Sequence, residues 1–162
     1  TGKGWGMACN SIHYIDLIGW WTNSKVISVD TDQISYWRPS KRKGFYECFG
    51  KIIVFFENEN ILELNCDEGV SDLVMKIDTP NDNWELNETT GITVSTNSQK
   101  ISGGLEYQSN MTRPLVEKIL HDGNCGLTTF SESYVEHKLL LASFLNSWNK
   151  IEKKNDDIIP IT

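Results

Sequence analysis

From Lys25 to Gln108 the chain is a succession of short runs rich in branched and aromatic residues, each closed within a few positions by turn-forming residues. Val26 to Val29, Gly44 to Phe49, Ile52 to Glu57, Ile61 to Cys66, Leu73 to Asp78, Trp84 to Asn87 and Ile92 to Thr96 read as strands. Asn58, Glu59 and Asn60 leave a hairpin-sized gap between two of them, and Pro80 to Asn83 mark another turn. A parallel pair needs a crossover of about a dozen residues or more, which these connections do not offer. The sheet is therefore predicted to be largely antiparallel.

The flanks read as helices. Gly2, Gly4 and Gly6 make the first residues a poor helix, so a loop or extended arm is expected there. Asn10 or Ser11 then caps a helix to about Trp21, with Ile12, Ile15, Ile18 (or Leu17) and Trp21 as its apolar stripe. After the strands, Asn110 or Thr112 caps a helix over Arg113 to His121, with Pro114 in its first turn and Gly123 ending it. A longer helix opens near Thr129 or Ser131 and runs to Asn149, its core stripe Val135, Leu139, Ala142, Leu145 and Trp148, widened by Leu141 and Phe144. The tail from Lys150 either frays or docks through Ile158, Ile159 and Ile161.

This order predicts an α+β domain over residues 1–150 with a tail over 151–162: an open, largely antiparallel (mixed) β-sheet with helices packed on one face. The uncovered, aromatic-rich face exceeds the apolar patch a monomer tolerates. It is expected to form a homodimer or tetramer.

At 162 residues the chain closes one core, and its net charge of -7 disfavours a nucleic-acid partner. Lys41, Arg42 and Lys43 form the one dense basic cluster and read as a loop solvated by its charges. No apolar run approaches the ~20 residues of a membrane span, so no membrane partner is expected. Cys9, Cys48, Cys66 and Cys125 are irregularly spaced without a C-x-x-C pair, which signals neither a metal site nor a redox dithiol. Buried free thiols in a reducing cytoplasm fit this pattern; the even count also allows two disulfides in a secreted protein.

The segment WGMACNSIHYIDLIGWW, Trp5 to Trp21, resembles the C-terminal domain of the glucose-fructose oxidoreductase, inositol dehydrogenase and rhizopine-catabolism (Gfo/Idh/MocA) oxidoreductases. Gln108 to Leu120 is similar to that family's penultimate helix, and LTTFSESYVEHKLLLASFLNSWN, Leu127 to Asn149, to its closing helix. The resemblance implies a dihydrodipicolinate-reductase-like substrate-binding and oligomerisation domain. It further implies NAD or NADP held mainly by an N-terminal Rossmann domain absent from this chain, and a sugar-type substrate. The run Gly2, Lys3, Gly4, Trp5, Gly6 lacks the strand and third glycine of a dinucleotide loop, so no cofactor-binding residue is expected here and the chain alone is expected to be inactive.

Oxidising a carbinol requires a base within reach of its hydroxyl, and histidine suits that at neutral pH. The resemblance assigns the role to His13; a packing or capping histidine is the plainer alternative. Asp16 follows one turn later on nearly the same face, where it orients the ring, accepts a sugar hydroxyl or serves as a surface acid. Cys9 stands where many members carry an aspartate, and Asn10 beside it reaches a sugar hydroxyl or caps the helix. Trp5, on the arm, is the tryptophan expected to wall the pocket; Trp20 and Trp21 read as core. A non-catalytic α+β dimerisation or ligand-binding module is the alternative function.

Overall fold

A computed structural model describes residues 1–69, 72–97, 99–103 and 108–161. Those residues form an α+β fold in the order β1 (Gly2–Lys3), α1 (Met7–Thr22), β2 (Val26–Asp30), β3 (Ile34–Pro39), β4 (Tyr46–Phe56), β5 (Ile61–Asp67), β6 (Val74–Asp78), β7 (Asn83–Asn87), β8 (Ile92–Ser95), β9 (Lys100–Ser102), α2 (Gln108–Asp122) and α3 (Phe130–Glu152). Contacts group the chain into two compact units, residues 1–71 with 130–162, and residues 72–129.

In the first unit β4 is the spine. Its second half pairs antiparallel with β2, Val29 opposite Val54, and its first half with β3, Trp37 opposite Cys48. Along its other edge it pairs with β5, Ile52 opposite Leu64, and β1 joins β5 in parallel to make the sheet mixed. The sequence predicts two strands broken near Gly50. Instead the backbone runs through Gly50 with φ 122, and β3 is a strand the sequence reading lacks. The reason lies in the pairing: β3 begins so close to β4 that a Cβ on Gly50 would stand 2.3 Å from the Gln33 carbonyl oxygen.

Alternation along β4 buries Ile52, Val54 and Phe56 and leaves Ile53 and Phe55 half-buried, as a sheet covered on one face requires. Met7, Ala8 and Ile15 of α1 and Leu140, Phe144 and Trp148 of α3 complete the core. Trp37 meets Phe144 and Trp148 edge to face at 5.7 and 5.6 Å. The tail docks: the Trp148 indole N–H donates to Asp156 at 2.8 Å, the Tyr46 amide to the Pro160 carbonyl at 2.8 Å, and Ile159 and Ile161 pack on the core.

The helices keep their predicted faces in part: Ile12, Ile15 and Ile18 of α1 and Leu139, Phe144, Leu145 and Trp148 of α3 lie in the core or pack against it. Apolar residues surround α3, and the stripe that meets the sheet is Leu140, Phe144 and Trp148, while Val135, Leu141 and Ala142 are exposed. Trp20 and Trp21, read as core, are exposed, because at the helical spacing Trp20 falls opposite the buried stripe of Met7, Ala8, Ser11 and Ile15 and Trp21 at its margin.

The second unit corrects the expectation of one sheet. Strands β6, β7, β8 and β9 form a separate antiparallel meander in chain order. Each connection is a local hairpin, so these strands satisfy one another without an edge of the first sheet. Among the described residues every buried hydrophobic side chain belongs to the first unit, which therefore holds the large core.

Candidate functional site

Helix α1 starts three residues before the predicted cap, and that shift organises the site. Gly6 precedes it in the left-handed conformation, φ 81, and offers no side-chain cap. The acceptor comes from the sheet instead: Glu47 of β4 accepts the Ala8 amide, and its own strand's Cys48 amide at 3.0 Å. Its second oxygen lies 4.0 Å from the Cys9 sulfur. Burial pushes the Glu47 carboxyl above its ordinary range, and the two amide hydrogen bonds oppose that rise.

Trp5 is held by its indole N–H on the Asn65 carbonyl at 2.8 Å and by an edge-to-face contact with Tyr14 at 5.3 Å. The Asn10 amide donates to the Trp5 carbonyl at 2.7 Å and so pins the arm to the helix. Because the helix starts at Met7, Asn10 is interior to it and is not its N-cap. Trp5 on the arm, together with Arg38, Lys41, Arg42 and Glu47 on the β3–β4 hairpin, lines a cleft of about 510 Å³. A second cleft of about 480 Å³ lies by Tyr36, Lys51, Asp67 and Glu68.

Three of the predicted site residues, Trp5, Cys9 and Asn10, are thus brought together around a carboxylate that sequence reasoning missed. The signal for Glu47 was available: an acid inside an otherwise aromatic and apolar strand run needs a partner. His13 and Asp16 lie further along α1. His13 is exposed and lines neither cleft, but it follows Cys9 by four residues and Asn10 by three, so it shares their flank of the helix. Asp16 bears on α3, where its charge helps to raise the pKa of Glu136.

Glu136 lies against α1, where a Cβ on Gly19 would stand in ordinary contact with a Glu136 oxygen at 3.5 Å. Its other oxygen is buried without a hydrogen-bond partner among the described residues. Desolvation first, then Asp16 and Glu132, push Glu136 up to about 7, with His137 opposing. A carboxyl whose folded pKa exceeds its unfolded one stabilises the fold below the unfolded value, near 4.5, and loses that contribution as pH rises through about 7. Thermal stability should therefore fall across that window. Glu136→Gln should flatten the fall and raise Tm at alkaline pH by about 2–4 °C, a partly screened effect of roughly 1 kcal/mol, measured by calorimetry across pH.

Glu47→Ala leaves the first-turn Ala8 amide and the Cys48 strand amide without their acceptor and should cost about 1–3 kcal/mol, read from urea midpoints; Glu47→Gln, which keeps an acceptor oxygen, should cost less.

Cys48 and Cys66 are buried thiols whose pKa values burial raises, so both act as neutral packing groups; Cys9 and Cys125 are half-buried, and none of the four is in a disulfide. Among the described residues no group of three or more His, Cys, Asp and Glu side chains is placed to hold a metal, and no helix is long and apolar enough to cross a membrane.

A dinucleotide fits these residues poorly. A short strand, left-handed Gly4 and Gly6, and a helix start do follow one another, but Glu47 already sits on the first turn where a pyrophosphate would bind. Comparison of the chain with protein-family models, with curated proteins and with solved structures finds no match.

Proposed function

We propose that this chain is the substrate-binding and oligomerisation half of an NAD(P)-dependent oxidoreductase acting on a sugar or sugar derivative. The observation that carries the reading is a cleft walled by Trp5 and Glu47 at the start of a helix whose same flank presents an exposed histidine. Trp5 supplies an apolar surface for a sugar ring, and Glu47 a partly buried acceptor for its hydroxyls. His13 takes the carbinol proton, and Cys9, Asn10 and Asp16 shape the approach to it. Hydride transfer is assigned to a nicotinamide carried by a separate Rossmann domain.

In this reading the chain is a dihydrodipicolinate-reductase-like domain of the Gfo/Idh/MocA type. Its free thiols suit a reducing cytoplasm. The face of the first sheet opposite the helices, with Ile27 and Ile61 more than half exposed, serves as the homo-oligomer interface. That same apolar face favours the second reading, a dimerisation module without catalysis. The test is nicotinamide reduction by the enzyme carrying this chain together with its dinucleotide domain, across a panel of neutral and acidic sugars. Turnover of a sugar supports the oxidoreductase; dimers without turnover on any sugar favour the module.

A further inference from the structure

We infer that the sugar bound at this cleft carries an acidic group, and that Lys41 and Arg42 on the β3–β4 hairpin receive it. The inference rests on the sugar reading above and specifies its substrate class.

The chain's net charge is -7, yet its one dense run of cations falls on a cleft wall. Of the three cations lining the cleft, Arg38 is already engaged: it pairs with Glu68 and lies over the Phe49 ring at 4.4 Å. Lys41 and Arg42 have no carboxylate partner among the described residues; Arg42 lies over the Phe45 ring at 4.5 Å. The hairpin that carries them is held shaped. The Ser40 amide donates to the Phe45 carbonyl at 2.8 Å, the Phe45 amide to the Arg42 carbonyl at 3.1 Å, and the Arg42 amide to the Ser40 hydroxyl at 3.2 Å.

Glu47 lines the cleft from the same hairpin, opposite Arg38 in the strand pair, and its raised pKa and amide hydrogen bonds temper its repulsion of an anion. The neighbouring cleft offers Asp67 and Glu68 against Lys51 and would repel the same ligand. Electrostatics therefore sort an anionic sugar to the cleft with Trp5. A phosphate ester and a uronic carboxylate share the chemistry this site recognises.

The test is calorimetric titration of the chain with glucose, glucose 1-phosphate, glucuronate and inorganic phosphate, repeated with Lys41→Ala/Arg42→Ala, whose folding is checked by its circular dichroism. An anionic sugar is expected to bind at least about tenfold more tightly than glucose and than phosphate, with the advantage lost in the double variant and weakened at about 300 mM salt. Glucose 1-phosphate above glucuronate identifies a phosphate ester, and the reverse a uronate. Glucose binding as tightly as either overturns the inference and leaves the sugar reading standing. Phosphate alone matching glucose 1-phosphate, or an advantage that survives in the folded double variant, overturns the inference too. Absence of binding by every probe removes both.

Discussion

Gly50→Ala should unfold much of the population, lowering stability by about 3–5 kcal/mol. Two penalties combine. The backbone at Gly50 has φ 122, which a residue with a Cβ adopts only under strain, and the new methyl would meet the Gln33 carbonyl oxygen at 2.3 Å and the Ser35 amide nitrogen at 2.8 Å. Both neighbours are backbone, so neither swings aside as a side-chain tip does. The position sits where β3, β4 and β5 all meet, since Gly50 pairs with Ile34 on one side and Cys66 on the other. Relief therefore means breaking the sheet at its spine. A urea midpoint within experimental error of the parent protein would show that β3 does not approach as described. Gly44→Ala is the control. That glycine also has positive φ, but nothing lies within 4 Å of its Cβ position, so strain acts alone and the loss should be roughly 1–2 kcal/mol.

The same position shows what the sequence could and could not convey. Branched and aromatic runs announced most of the strands, but a glycine within such a run reads equally as a turn or as a close approach. Only the pairing partner, Ile34 to Pro39, decides between them. That strand itself was hidden because Ser35, Arg38 and Pro39 dilute its pattern. The closing helix was legible in extent and less so in orientation: with Leu139, Leu140 and Leu141 consecutive, the periodicity admits several faces, and the choice belongs to Trp37 and the sheet. At the candidate site the local cluster of Trp5, Cys9 and Asn10 could be named from one short segment. Glu47 lies some forty residues away in the chain, and its role depends on a helix that starts at Met7, which its flanking glycine disguised.

His13→Ala, made in the enzyme carrying this chain with its dinucleotide domain, should lower kcat by about 10²–10⁴-fold, the range general acid-base groups supply. Cofactor affinity should stay unchanged, because the dinucleotide is assigned to the other domain. Folding should be unaffected, since the imidazole is exposed and no hydrogen bond or ion pair ties it to a described residue. That combination separates catalysis from packing: a structural histidine would move stability and spare turnover. A kcat within about twofold of the parent would end the assignment, since that is less than 1 kcal/mol of barrier.

Where a sugar sits decides the function of this domain. Backbone amide shifts of this chain, recorded while glucose and glucose 1-phosphate are titrated in parallel, test that most directly. The expected changes run from Gly4 to Asn10 and at Glu47, include the Trp5 indole, and extend to Lys41 and Arg42 only with the phosphate. Shifts confined to the cleft of Tyr36, Lys51 and Asp67, or none near Trp5 with either ligand, would contradict it.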